Sequence, residues 1–256
     1  MLTKRHGAIL KLLERQGSLS VTALAQGLDV SAETIRRDIR TLADAGAVIR
    51  VHGAVGLAGQ IGEAPFERRM RENAGAKRSI ARAMADNIAD GDSLMLDTGT
   101  TTSFLARELL GHRRLTVVTN SSDIARTLAT VNGNRVFMAG GELRGDSGAA
   151  LGASALDFIR PFAVQHAIIS AGAVDASGVM DFDLHEAEFA RAVLACGECR
   201  TVVTDASKFG RRGFIRVVGF DRIDAMVTDA APAPDIAAAL AASEVRLTLA
   251  PQDHRQ

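Results

Sequence analysis

Seven short runs rich in apolar and β-branched residues recur along the chain, at 93–96, 116–119, 135–138, 166–169, 201–204, 225–228 and 245–248, with helical periodicity between them. Each run is largely apolar rather than strictly alternating, the pattern of a strand covered on both faces. Strands separated by helices pair in parallel, because a parallel neighbour needs a crossover long enough to hold a helix. The expected fold of this part is an α/β domain with a mostly parallel sheet. With 256 residues, 47% of them apolar, the chain can bury that core and a second, smaller one without staples.

The two cysteines, Cys196 and Cys199, are too few for a disulfide framework and fit a reducing compartment. They form a lone CxxC with no second pair or histidine at ligand spacing, and His185-Glu186 lacks the second histidine of a zinc-protease helix. No metal and no cofactor are expected. No apolar run approaches the roughly 18 residues of a bilayer span, and residues 1–7 lack the apolar stretch of a signal peptide. A cytoplasmic protein with no membrane partner is expected. Ten Phe with no Trp and no Tyr make a poor stacking platform, which argues against single-stranded nucleic acid.

The formal charge is zero, yet residues 1–56 hold eight Lys or Arg against five Asp or Glu, while the remainder holds 22 against 25. A basic head on a mildly acidic body implies different partners for the two parts. In the head, Ile9, Leu12 and Leu13 fall at helical spacing before Gly17, Ser20 caps a short helix over 21–26, and Ser31 caps a third. Ile35, Ile39 and Leu42 form the inner stripe of that third helix. Three helices with a brief turn between the last two make a helix-turn-helix. Residues 47–51, the turn His52-Gly53 and Ala54-Val55 then read as a small hairpin wing.

The third helix turns Thr34, Arg36, Arg37 and Arg40 outward, and arginine bridges guanine or clamps phosphate. The alternative is a solvated face on which Glu33 and Asp38 offset Arg36 and Arg37. The candidate DNA-contacting residues are Ser20, Thr22, Ser31, Thr34, Arg36, Arg37, Arg40, Arg50 and His52. A single short recognition helix contacts few bases, so a dimer or larger oligomer on double-stranded operator DNA is expected.

Beyond the head, the strand-like runs end in polar or glycine-rich loops, and such loops form the ligand crevice of an open α/β sheet. In Asp97-Thr98-Gly99-Thr100-Thr101-Thr102, Gly99 lets backbone amides approach an anion and the threonines add hydroxyls before a helix expected to start at Ser103. This is a candidate phosphate cradle, and a plain strand-to-helix turn is its alternative. Asn120, Gly140 and Gly141 end neighbouring strands, and Lys208 either meets the phosphate or pairs with Asp205. Asp183 and His185 either accept hydrogen bonds from a polyol or simply start a helix. The candidate effector residues are Asp97, Gly99, Thr100, Thr101, Thr102, Asn120, Gly140, Gly141, Asp183, His185 and Lys208.

The order of these segments resembles the DeoR family of bacterial transcriptional regulators along almost the whole chain. Thr34-Ile35-Arg36-Arg37-Asp38, Ala139-Gly140-Gly141-Glu142-Leu143-Arg144, Phe182-Asp183-Leu184-His185-Glu186 and Ser207-Lys208-Phe209-Gly210 carry the likeness. It implies an N-terminal winged helix-turn-helix and a C-terminal sensor domain similar in fold to ribose-5-phosphate isomerase and coenzyme A transferases; with Gly56, Gly59, Gly62 and Pro65 punctuating a connector between them, the expected bounds are 1–57, a linker over 58–76, and 77–256. It further implies a homo-oligomeric repressor, dimer or tetramer, released from DNA by a small phosphorylated polyol or sugar. Through residues 182–186 it points to glycerol 3-phosphate. A phosphosugar isomerase fused to a DNA-binding head is the rival reading, but no spacing ties Asp97, Asp183, Glu186 and Lys208 into an acid–base pair.

Overall fold

The computed structural model describes residues 3–16, 19–51, 54–57 and 63–251. The chain divides into two compact units between Ala64 and Pro65. In the first, α1 (Lys4–Gln16) is followed by β1 (Leu19–Ser20), α2 (Val21–Gly27), α3 (Ala32–Asp44), β2 (Val48–Val51) and β3 (Ala54–Leu57). Ser20 Oγ accepts from Ala23 N at 3.0 Å and Ser31 Oγ from Thr34 N at 3.2 Å, so both short helices start at the expected caps. Asp29 takes up the left-handed conformation (φ 51°) in the turn between them. The strands form an antiparallel sheet in the order β1-β3-β2, whose first member, only two residues long, leaves no periodic trace in the sequence.

The core of this unit joins Ile9 and Leu13 of α1, Leu24 of α2, Ile35, Ile39 and Leu42 of α3, and Val48 and Val55 of the wing. Asp38 turns inward with them and is only 6% exposed. Arg5 donates both Nε and Nη2 to its carboxylate, the latter at 3.0 Å, and His6 Nε2 lies 3.2 Å from Oδ1. The Arg5 guanidinium holds the Asp38 carboxyl below the usual carboxylate range against the opposing pull of burial, and Asp38 in turn raises Arg5. This ion pair pins α3 to α1.

The second unit runs through α4 (Phe66–Arg71), α5 (Ala74–Ala85), β4 (Ser93–Leu96), α6 (Thr100–Glu108), β5 (Thr116–Thr119), α7 (Ser122–Leu128), β6 (Arg135–Met138) and α8 (Ala153–Ile159). It continues with β7 (Val164–Ser170), β8 (Ala173–Asp175), β9 (Gly178–Asp181), α9 (Leu184–Ala195), β10 (Gly197–Val203), β11 (Ile215–Val218), β12 (Ala225–Thr228), α10 (Pro234–Ala242) and β13 (Arg246–Leu249). Residues 66–71 and 74–76, read from the sequence as part of a connector, are helical and cluster with this unit. Each of the seven anticipated runs falls on a strand of one sheet, ordered β13-β12-β10-β7-β4-β5-β6, and every pairing in it is parallel.

Alternate residues of one strand enter opposite cores, which is why the runs are apolar throughout. Met95, Val118, Ile169, Val202 and Met226 pack beneath α8, α9 and α10, whereas Leu94, Val117, Ile168, Val203 and Val227 pack beneath α5, α6 and α7. The antiparallel sheet β11-β9-β8 adds Val174, Val179 and Val217 to the first core. The chain steps outward from β4 through β5 to β6, then crosses back to place β7 on the other side of β4. Among the described residues no helix is long and apolar enough to cross a membrane.

Asp38→Asn should destabilise the first unit by roughly 1.5 to 3 kcal/mol at pH 7, the range for a hydrogen bond to a charged group. Because the folded-state carboxyl is depressed, its stabilisation is complete above the unfolded value of about 3.9 and fades as pH falls below it. Thermal unfolding at pH 7 and pH 3 should therefore show the wild type and Asp38→Asn converging in acid; an unchanged gap would refute the ion pair.

Candidate functional site

On α3, Glu33, Arg36, Arg37, Arg40, Thr41 and Asp44 are exposed, opposite Ile35, Ile39 and Leu42. Arg36 Nη1 reaches Glu33 Oε2 at 3.1 Å between two exposed side chains, a pairing that solvent weakens. Asp38, which the solvated-face alternative set against Arg37, is instead withdrawn into the core. Arg36 and Arg40 stand about 6 Å apart along the axis, close to two base-pair steps. Thr34 Oγ1 lies 2.9 Å from Ser31 Oγ at the amino end of the same face. Ser20 and Thr22 are exposed on the first turn of α2 and its cap. Arg50 is placed by its backbone in β2, opposite Val55. His52 lies outside the described residues.

In the second unit the reversal between β4 and β7 opens the crevice where ligands sit in parallel α/β sheets. Asp97, 7% exposed, follows β4, and its Oδ2 accepts from Ser170 N at 2.9 Å and Ser170 Oγ at 3.2 Å, joining the two strand ends. Thr98 Oγ1 donates to Asn120 Oδ1 at 2.8 Å, and Asn120 Nδ2 donates to Ala150 O at 2.9 Å. The Asp97–Ser170 and Thr98–Asn120 bonds thus tie the end of β4 to its neighbours on both sides, β7 and β5. Ser170 was not among the anticipated site residues; nothing in the sequence marks it except that it closes a strand.

The helix after β4 begins at Thr100 rather than at Ser103, with Gly99 as its N-cap and no side-chain cap bond. The first-turn amides of Thr100, Thr101 and Thr102 therefore belong to the helix terminus itself, which favours negative charge. Thr102 Oγ1 donates to the carbonyls of Asp97 and Gly99 at 3.1 and 3.0 Å, so the hydroxyls suited to a ligand are those of Thr100 and Thr101. Gly99 is extended (φ −153°), a conformation open to any residue, and its need is steric. An added Cβ would stand 2.0 Å from Ser170 Oγ and 2.7 Å from Ser170 Cβ. Glycine here lets the turn after β4 lie against Ser170 at the end of β7.

The other anticipated residues flank this centre. Gly140 and Gly141 follow β6, and the loop beyond them folds back so that Ser121 bridges Ala149 and Leu143 bridges Ala150. From that loop Arg144 reaches Glu186 Oε1 at 2.7 Å and Asp183 Oδ2 at 3.1 Å. Asp183 Oδ1 caps α9, accepting from His185 N at 2.9 Å and Glu186 N at 3.1 Å. Both Asp183 oxygens are thereby engaged, and His185 projects outward, 3.5 Å from Glu188 Oε2. On the opposite flank Lys208 follows β10, and Asp205 Oδ1, buried, accepts from Ser207 and from Asn73 Nδ2.

Neighbouring strands are about 4.8 Å apart, so β10 and β6 are separated by about 19 Å, and each lies about 10 Å from β4. A three-carbon phosphate centred on β4 reaches one flank and not both. A cleft of about 530 Å³ lined by Arg191, Glu198, Arg200 and Arg222 opens at the amino end of β10, away from the crevice. Two of its arginines are already engaged: Arg191 donates to Arg216 O at 2.6 Å, and Arg200 to Asp224 at 2.7 and 2.9 Å. Cys196 closes α9 with its thiol pushed up by burial, and Cys199 lies in β10. Among the described residues no three His, Cys, Asp or Glu side chains gather as metal ligands.

Two sequence families match the two units: "DeoR-like helix-turn-helix domain" over residues 5–60 and "DeoR C terminal sensor domain" over residues 72–230. The glycerol-3-phosphate regulon repressor of Escherichia coli (strain K12) is 35% identical over 248 residues, covering 96% of this chain and 98% of that one. The HTH-type transcriptional repressor CsqR of the same organism is 32% identical, covering 97% and 96%. Among solved structures, ribose 5 phosphate isomerase A from Neisseria gonorrhoeae matches 53% of each chain at 16% identity with a TM-score of 0.39.

Gly99→Ala should cost about 1 to 3 kcal/mol in denaturant unfolding, the range for overpacking. Combining it with Ser170→Gly, which removes both atoms nearest the new methyl, should restore part of that loss. Additive losses in the double variant would show that the two residues are not in contact.

Proposed function

The chain belongs to the DeoR family, and on that premise we propose that it is a sequence-specific transcriptional repressor whose operator binding is relieved by a small phosphorylated polyol or sugar. Glycerol 3-phosphate is the first candidate, from the 35% identity over nearly full length to repressors named for that regulon. The observation that carries the DNA-binding half is the charge arrangement of α3. Its single buried acid is held by Arg5 and His6, so the outward face keeps Arg36, Arg37 and Arg40 as its dominant charge. Arg37 and Arg40 read base edges or clamp phosphates, while Ser20, Thr22 and Ser31 stand at helix starts suited to the phosphate backbone. Two or more copies are needed, because one such helix covers too few base pairs for useful discrimination.

The sensing half centres on the β4–β7 reversal. The α6 terminus takes the phosphate through the amides of Thr100 to Thr102, and Lys208 on the β10 flank adds a counter-charge. Asp97, fixed by Ser170, and Asn120, fixed by Thr98, offer oxygen atoms to polyol hydroxyls. Gly140, Gly141, Asp183 and His185 lie on the β6 flank, where they suit a longer ligand. Binding relieves repression only if the ligand prefers a conformation with weak operator affinity. The reading needs no turnover: Asp97 is bonded to Ser170, and Asp183 to Arg144 and the first turn of α9, roles that hold the crevice together without a reaction.

Operator binding titrated with salt and with glycerol 3-phosphate tests the whole reading. Affinity should fall steeply with salt. Arg37→Ala should lose on the order of 1 to 3 kcal/mol if it reads a base, and equal binding by variant and wild type would remove Arg37 from the interface. Lys208→Met should leave effector-free operator binding unchanged and raise the glycerol 3-phosphate needed for half-release by about tenfold or more, the loss of one charge-assisted bond. Release at the wild-type concentration would place the phosphate elsewhere. The same preparation should show no isomerase turnover on phosphosugars.

A further inference from the structure

The helices α4 and α5 meet at a bend made by two residues. Glu72 is extended (φ −72°, ψ 131°) and Asn73 is left-handed (φ 52°, ψ 32°), a conformation asparagine tolerates better than most residues. Lys77 on the first turn of α5 is 3% exposed, and its Nζ donates to Glu72 O at 2.8 Å and to Arg69 O. It thereby satisfies carbonyls that α4 leaves open at its end. Asn73 Nδ2 donates to Asp205 Oδ1 at 3.0 Å and to Ser207 Oγ at 3.1 Å. Both acceptors belong to the loop after β10 that carries Lys208, and Ala206 N in the same loop donates to Asp229 Oδ1 at 2.7 Å beyond β12. One carboxylate oxygen of Asp205, a residue 2% exposed, thus gathers both the crevice loop and the bend.

No proline lies between residues 66 and 85, and only Asn73 and Gly75 weaken an otherwise helix-forming stretch. No residue of the stretch therefore forbids a straight helix through the bend, and straightening would also withdraw Phe66 and Met70 from where they are buried. Straightening would set Lys77 about 12 Å along the axis from Arg69, beyond its capping bond, and would carry the Asn73 amide away from Asp205. Bent and straight forms differ by discrete bonds, the property of a two-state element.

We propose that the bend at Asn73 is the coupling element of the sensor. A phosphate engaging the 205–208 loop alters the bonds that hold Asn73, and α4, by which the chain enters this unit from the DNA-binding unit, changes direction. Asn73 is a positioning residue in this scheme. The proposal rests on the reading of the crevice as an effector site.

The test uses the full chain and two measurements with glycerol 3-phosphate: the ligand-induced rise in melting temperature, which reads binding, and operator affinity with and without ligand, which reads coupling. Asn73→Gly keeps the left-handed backbone at no steric cost and deletes only the amide. It should bind glycerol 3-phosphate within about threefold of wild type, while the ratio of operator affinities falls from about tenfold or more to below about twofold. Ser207→Ala, which removes one of the two acceptors and leaves the bend residue intact, should give an intermediate ratio. Wild-type ratios in both variants would overturn the proposal, as would a variant that loses ligand binding along with its response. If wild type itself gains no melting temperature from glycerol 3-phosphate, the effector reading falls and the proposal falls with it.

Discussion

The second unit depends on how closely β4 and β7 approach each other at the point where the chain reverses direction across its sheet. Parallel strands of opposite winding leave a gap at their carboxyl ends, and here it is narrowed by the absence of a side chain at Gly99 and spanned by the Asp97–Ser170 bonds. Those bonds fix where α6 begins, and hence where its unsatisfied amides lie. On the other side of β4, Asn120 accepts from Thr98 and holds the loop beyond β6 through Ala150. The polar network at the crevice is thus a consequence of sheet topology, and sugar-phosphate sensing would exploit a place the fold already makes polar.

The first unit solves a different problem, which is to present cations on a short helix without losing the helix to self-repulsion. A third exposed acid on α3, beside Glu33 and Asp44, would weaken the field needed for DNA. Burying Asp38 against Arg5 and His6 stabilises the same helix from its inner side. Burial raises the cost of the unpaired charge, so the pair also specifies how α1 and α3 meet. The outward arginines are then held at fixed spacing by a rigid element, as base readout requires.

Much of this was legible in the sequence because it rests on local rules. Continuous apolar runs located every strand of the parallel sheet, and Ser20 and Ser31 located two helix starts through their capping bonds. The antiparallel sheet of β8, β9 and β11 was not anticipated, since its strands are short and set among turns whose pairing is settled by packing on α9. The start of α6 was placed three residues late because threonines read as loop donors, whereas burial brings them into the first turn. Asp38 entered the sequence reading only as a counter-charge in the solvated-face alternative, because its partner lies 33 residues away, and Asn73 carried no signal beyond being a lone asparagine between helical stretches. Residues whose roles are set by long-range partners are the ones that sequence spacing does not reveal.

The central claim is that a phosphorylated ligand occupies the reversal between β4 and β7. Amide hydrogen exchange across the full chain, with and without saturating glycerol 3-phosphate, tests it most directly. Protection confined to residues 97–103, 168–172 and 205–208, absent with unphosphorylated glycerol, is the predicted result. Protection instead around the arginine cleft of α9 and β10, or no change anywhere in the second unit, would contradict the account.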